Sequence, residues 1–194
     1  MPTSTARSGR RADAEHNSGR ILDAAAEVLR RSPTASMADI AQAAGLGRVT
    51  VYGHFPSRES LVEATLSRLL ERGERVLSEV DLTVEPQRAL VALVEASWQL
   101  TADAGAVLEA AQNALPTDRV QQLHAVPALR VESLLRRGQD AGVFRTDLPL
   151  SWLVAVLHGV INSAAAEVRQ GRMEAAAAGP AIVSTVLAAF APPS

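Results

Sequence analysis

The stretch from Ser36 to Leu61 carries the residues whose types and spacing are best suited to molecular recognition. A short helix predicted near its middle carries on its outward side Arg48, Val49, Thr50, Gly53 and His54. Arginine, threonine and histidine offer hydrogen-bond donors and acceptors of the kind that read base edges in the DNA major groove. A helix that presents such side chains is therefore predicted to bind double-stranded DNA.

Two short helices position these side chains. Ser36 opens the first helix, and Asp39, three residues on, imitates a capping box. Gly45 is predicted to end this helix, and a second one runs from about Arg48 to His54. Two short helices joined by a glycine-containing turn fit a helix-turn-helix, although a plain helical hairpin within a larger core is the alternative.

The segment also matches a known pattern, which reads Ile40-Ala41-x-x-Ala44-Gly45-Leu46-x-x-x-Thr50-Val51-Tyr52-x-His54-Phe55-Pro56-Ser57-Arg58-Glu59-x-Leu61. It closely resembles the signature of the TetR family, over roughly residues 18–66. The resemblance implies a homodimeric bacterial transcription regulator that binds a palindromic DNA operator. It also implies a C-terminal domain that binds a small-molecule effector. Repression relieved by that ligand is expected, and activation is the alternative.

The resemblance further implies which residues touch DNA. Arg48, Val49 and Thr50 correspond to positions that read bases or contact phosphates, and Arg58 to one where lysine is common. The expected DNA-binding residues are Ser36, Arg48, Val49, Thr50, Tyr52, Gly53, His54 and Arg58. Two departures from the family pattern are Gly47, which removes a capping hydroxyl, and Gly53, which lowers helix propensity by ~1 kcal/mol against alanine.

Composition excludes several functional classes. The 194 residues include no cysteine, and all 19 basic residues are arginine, which excludes thiol nucleophiles, Schiff-base lysines and Walker-type phosphate loops. No paired catalytic carboxylates or Ser/His/Asp arrangement occurs, so we expect neither an enzyme nor a cofactor. The four histidines are scattered, and we expect no metal site.

Charge is distributed unevenly along the chain. The formal net charge is -2, which argues against an indiscriminate nucleic-acid coat protein. Residues 1–58, however, carry eight arginines and five acidic residues, whereas residues 59–194 carry eleven and sixteen. This distribution suits a protein that touches DNA with one end only. Arg7, Arg10 and Arg11 belong either to a solvated tail or to an arm that reaches DNA.

Abundant alanine and the absence of alternating strand patterns predict an all-α fold. Three segments are expected: a flexible basic arm at 1–17, a helix-turn-helix DNA-binding domain at 18–58, and a C-terminal ligand-binding and dimerisation domain at 59–194. The first helix should begin at Asn17 or Ser18, and shorter helices are expected at 86–101, 104–114 and 118–124, with another starting at Pro127. The apolar stretch 148–166 is interpreted as a buried helix rather than a membrane span, and a cytoplasmic location is expected.

Polar and aromatic residues interrupt the apolar C-terminal helices. An apolar pocket with a few polar groups is the usual design for small-molecule recognition. The candidate ligand-binding residues are Trp98, Gln112, Asn113, His124, Trp152, His158 and Asn162. Each of them has ordinary core or surface packing as its alternative, and Trp98 is the favoured one.

Two apolar stripes near the C-terminus predict a dimer interface, in which two helices of each subunit form a four-helix bundle. The stripes consist of Leu150, Leu153, Val154, Leu157 and Ile161, and of Ile182, Val183, Val186, Leu187 and Phe190. An intramolecular core is the alternative. For the whole chain, the rival functions are a helical ligand-binding module without DNA function and a regulator that needs no ligand.

Overall fold

The computed structural model describes the backbone of residues 5–193 and the side chains of residues 13–193, except those of residues 124 and 127. Within this part of the chain there are eight α-helices and no strand, so the all-α prediction is confirmed. The helices are α1 Thr5–Arg31, α2 Met37–Ala44, α3 Arg48–His54, α4 Arg58–Ser78, α5 Pro86–Ala114, α6 Thr117–Asp140, α7 Leu150–Arg169 and α8 Ala175–Phe190.

The start predicted for the first helix was wrong. Helix α1 spans Thr5–Arg31 and so includes residues 5–17 of the segment 1–17 that was expected to form a flexible basic arm, whereas residues 1–4 lie outside the described residues. The segment lacks apolar periodicity, but alanine, arginine and glutamate have high helix propensities. Intrinsic propensity therefore extends α1 where the hydrophobic pattern gave no signal.

Two helix breaks expected in the middle of the chain are also absent. Helix α5 is continuous through Gly105, and α6 is continuous through residue 127. A Cβ atom added at Gly105 would lie 3.0 Å from Oδ1 of Asn162, so this glycine allows close packing between α5 and α7. Gly105 therefore lies at a contact between two helices, within a continuous α5.

The chain divides into two compact units. The first comprises Met1–Leu69 and Ala106–Gln121, and the second Leu70–Gly105 and Gln122–Ser194. The end of α5 contributes the fully buried Val107, Ala110 and Ala111 to the first unit. This unit is more extensive than residues 18–58, whose assignment as the functional DNA-binding segment remains a prediction.

The core of the second unit is formed by α5, α6, α7 and α8 together with Phe144. The Phe144 and Phe190 rings meet edge to face with centroids 5.9 Å apart. A Cβ atom at Gly138 would lie 1.9 Å from Cδ2 of Phe144, so only glycine fits beneath that ring. Helix α7 is long and apolar enough to cross a membrane by length and composition alone, but several of its side chains are buried in this core.

The apolar stripes assigned to a dimer interface mostly belong to this same core. Six of the ten side chains are at most 1% exposed within the single chain: Leu153, Leu157, Ile161, Ile182, Val186 and Phe190. The assignment of these six was wrong, because α7 and α8 bury them against the chain itself. The other four are partly buried: Leu150, Val154, Val183 and Leu187.

Candidate DNA-binding site

Helix α2 is fixed at both ends by local hydrogen bonds. At its start, the Ser36 hydroxyl accepts from the Asp39 N–H at 3.3 Å, and the Ser36 N–H donates to Oδ2 of Asp39 at 2.8 Å. These bonds complete the predicted capping box. At its end, Gly45 adopts a left-handed conformation with φ of 63°, and the Leu46 N–H donates to the Ala41 carbonyl at 3.0 Å. At this turn the chain changes direction and leads into α3.

Hydrogen bonding to Ser36 lowers the pKa of the Asp39 carboxyl below its ordinary value of 3.8. The positive charge of Arg48 contributes to the same shift to a smaller extent. The capping carboxylate is therefore ionised at neutral pH, when it accepts the hydrogen bonds at the start of α2.

Two arginines join α1 to its neighbouring helices α2 and α4. Nη2 of Arg20, on α1, donates to the Ala44 carbonyl at 2.8 Å, at the last residue of α2. Nη1 of Arg68, on α4, donates to the Gly19 carbonyl at 3.0 Å, and its Nη2 lies 2.9 Å from Oδ1 of Asp23. Sequence reasoning missed these arginines, because their partners lie 24 and 49 residues away in the chain.

Helix α3 has one buried anchor and a largely exposed surface. Val51 is fully buried, whereas Val49 is 89% exposed and Tyr52 is 49% exposed. Arg48, Thr50 and Gly53 are also exposed, and His54 is half-buried beside Phe55. The helix therefore presents its first turn outward while Val51 attaches it to the domain.

Two of the expected DNA-binding residues have structural partners instead. Arg58 donates from Nε to the Ala35 carbonyl at 3.0 Å, and from Nη2 to the Pro33 carbonyl. Ser36 is exposed but takes part in the capping box. The structure thus gives both residues a role in placing α2, and their contact with DNA stays a prediction.

The candidate ligand-binding residues do not form one group. Gln112 and Asn113 are exposed and belong to the first unit, and the side chain of His124 lies outside the described residues. Trp152 is 57% exposed and His158 is half-buried, both on α7.

Trp98 and Asn162 lie where α5 meets α8 and α7. Trp98 is half-buried against the core of the second unit, and its Nε1 lies 3.5 Å from the position that a Cβ atom would take at Gly179. Asn162 approaches Gly105, seven residues further along α5 than Trp98 and thus on the same side of that helix. Sequence reasoning missed the roles of the two glycines, because the side chains that they approach lie on distant segments of the chain.

The features of α2 and α3 are those of a known class of DNA-binding domain. A capped short helix, a left-handed glycine turn and an anchored second helix with an outward first turn constitute a helix-turn-helix. In this class of domain the second helix enters the DNA major groove.

Comparison with known proteins shows which family the N-terminal part of the chain resembles. Residues 21–65 match the family described as bacterial regulatory proteins, tetR family. The chain is 40% identical over 81 residues to the HTH-type transcriptional repressor LfrR of Mycolicibacterium smegmatis. It is also 36% identical over 87 residues to an uncharacterised HTH-type transcriptional regulator of Mycobacterium tuberculosis. Each alignment covers 43% of the relative's length and about two fifths of this chain.

Solved structures share the fold over a longer span. The structure of LfrR in complex with proflavine superposes with a TM-score of 0.67 at 24% identity, covering 88% of this chain and 94% of that one. A TetR family regulator from Marinobacter aquaeolei gives a TM-score of 0.69 at 16% identity, covering 94% and 98%. The N-terminal part of the chain is thus similar to the TetR family of bacterial regulatory proteins, and the fold of the described chain is shared with solved regulators of that family.

Proposed function

We propose that this protein is a sequence-specific transcriptional regulator, a homodimer that represses from a palindromic operator and is released by a small ligand. The observation that carries this proposal is the outward first turn of α3, with Arg48, Val49 and Thr50 exposed and Val51 fully buried. The proposal places its action in the cytoplasm, where bacterial DNA is found.

The exposed sides of α7 and α8 support a dimer. Residues 150–166 of α7 and 175–190 of α8 contain no Asp, Glu or Arg, so α8 and all of α7 before its last turn have an uncharged surface. Exposed residues on these helices include Trp152, Ala155, Gly159, Ser163, Ser184 and Ala188. Small uncharged side chains allow helices to approach closely, and we assign this exposed face to the partner subunit.

Residues of the second unit support the proposal that a ligand releases the protein from DNA. The Trp98 indole and the Asn162 amide lie along one side of α5 and supply an apolar wall and a hydrogen-bonding group. Helix α5 contributes residues to both compact units. We infer that this continuous helix couples ligand binding to DNA binding. To weaken DNA binding ~100-fold, the ligand needs to favour the released conformation over the DNA-binding one by only ~2.7 kcal/mol.

The test is in vitro selection of bound DNA followed by binding measurements on single variants. Arg48→Ala and Thr50→Ala should each weaken operator binding by about 1–3 kcal/mol, because each removes a contact to a base or phosphate. Arg136→Ala on α6, also exposed, is the control and should bind as the unchanged protein does.

The outcomes separate the rival functions. If selection yields no preferred sequence and neither α3 variant alters binding, the protein is a ligand-binding module and this proposal is wrong. If operator binding is specific but no small molecule releases it, the regulator is independent of a ligand.

A further inference from the structure

We propose that Val49 selects a thymine in each half of the operator, by packing against the C5-methyl group of that base in the major groove. This inference rests on the proposed function, because it requires α3 to lie in that groove. It goes beyond that function by naming the base that one side chain of α3 prefers.

Val49 projects from the outer side of α3. At 89% exposure it is the most exposed of the large apolar side chains in the described part of the chain. Successive residues of an α-helix are rotated by about 100°, so Val49 points about 200° away from Val51, the fully buried residue of the same helix. Val49 therefore lies on the side of α3 that faces away from the domain.

The next residue on the same face as Val49 is a glycine. Gly53 lies four residues further along α3, and a Cβ atom there would meet nothing within 4 Å. A valine in a helix is largely confined to one χ1 rotamer, so its two methyl groups are held in one orientation and lose little freedom on binding. The outer face of α3 thus carries a rigid apolar projection with open space one turn beyond it.

The chemistry of valine limits which base it can recognise. Its side chain has no hydrogen-bonding atom, and thymine is the base that presents a methyl group in the major groove. If valine covered the polar edge of another base, donors or acceptors would lose water without gaining a new hydrogen bond. Contact with the thymine methyl instead removes apolar surface of both partners from water, which is favourable. Val49 is therefore suited to thymine and to no other unmodified base.

The experiment is a double-mutant cycle between the full chain and the operator obtained by in vitro selection. Each thymine of the half-site is replaced in turn, in both halves of the palindrome, by deoxyuridine, which lacks only the C5-methyl group. The proteins are the unchanged chain, Val49→Ala, and the control Val126→Ala, which alters a valine of α6 that is 60% exposed in the second unit. Dissociation constants are measured by fluorescence anisotropy at one fixed salt concentration.

At one thymine of each half-site, we expect deoxyuridine to weaken binding of the unchanged protein about four-fold per half-site, the effect of one methyl group that is no longer buried. The same replacement should weaken binding of Val49→Ala by only about two-fold or less, because alanine covers less of that methyl group. Val126→Ala should respond as the unchanged protein does.

A second set of operators tests the same contact by gain of affinity. Cytosine in place of this thymine should weaken binding of the unchanged protein. 5-Methylcytosine carries its methyl group at the position of the thymine methyl, so it should recover about four-fold of the loss per half-site. Val49→Ala should recover about two-fold or less.

The inference is overturned if every deoxyuridine replacement affects the unchanged protein and Val49→Ala equally, or if 5-methylcytosine binds no better than cytosine. Circular dichroism checks that Val49→Ala keeps its helix content, which is expected for so exposed a side chain. A specific operator without this coupling overturns the inference alone and leaves the proposed function in place. If selection yields no preferred sequence, the proposed function fails, and this inference fails with it.

Discussion

Arg58 shows how a cation in a DNA-binding domain can act on the domain itself. Its guanidinium bridges the carbonyls of Pro33 and Ala35, in the loop that ends at the N-cap residue Ser36. The bridge therefore determines where α2 begins. A planar group with several donors can span two carbonyls, whereas an ammonium acts as a single point charge.

Arg58→Ala should lower the free energy of unfolding by about 1–3 kcal/mol, because two backbone carbonyls lose a charged donor. Arg58→Lys should recover only part of this loss, since it cannot bridge both carbonyls. Arg48→Ala, which removes an exposed arginine, is the control and should leave the urea midpoint almost unchanged. If Arg58→Ala leaves the urea midpoint unchanged and makes the slope of log K against log salt for DNA binding shallower, Arg58 contacts a DNA phosphate instead.

At the scale of elements, α3 is the weakest part of the helix-turn-helix. It has seven residues, and its N-cap Gly47 supplies no side-chain hydrogen bond. Gly53 lies within it, and a Cβ atom there would meet nothing within 4 Å. A short helix without a capping side chain and with an internal glycine owes its order to the packing of Val51.

Gly53→Ala should therefore stabilise α3 by ~1 kcal/mol and raise operator affinity by about five-fold, because less ordering is needed on binding. Gly73→Ala, at an equally open helical position in α4, is the control and should raise stability without changing DNA binding. Titration of labelled operator measures the affinities. A loss of affinity in Gly53→Ala would indicate that the α3 backbone approaches DNA too closely to accept a methyl group.

The sequence predicted those elements that local chemistry determines. The capping box at Ser36, the glycine end at Gly45 and the α3 limits Arg48–His54 all agree with the structure. Hydrophobic periodicity likewise revealed which side of α7 is buried, but it does not say whether the chain or a partner covers that side. The Arg58 bridge was not predictable either, because it depends on how distant segments pack.

At the scale of the whole molecule, α7 has two opposite sides, of which one is buried in the core and the other is exposed. One carries Leu153 and Leu157 into the core of the second unit, and the other exposes Ala155 and Gly159. Before its last turn, which contains Arg169, the exposed side of α7 carries no charge, and this is unusual for a helix that faces only water. A second copy of the chain would cover it with the same surface, as a two-fold interface requires.

Ala155→Glu should therefore shift the protein toward monomers, because each interface would contain two carboxylates without partners. A cost of about 2 kcal/mol corresponds to a roughly thirty-fold weaker dimer, measurable by sedimentation equilibrium. Ser133→Glu, on the exposed side of α6, is the matched control and should leave the dimer intact. Leu153→Ala should instead lower the stability of each subunit by about 2–5 kcal/mol. If Ala155→Glu remains as dimeric as the control, another surface joins the subunits. The proposed binding of a homodimer to a palindromic operator would then depend on that other surface.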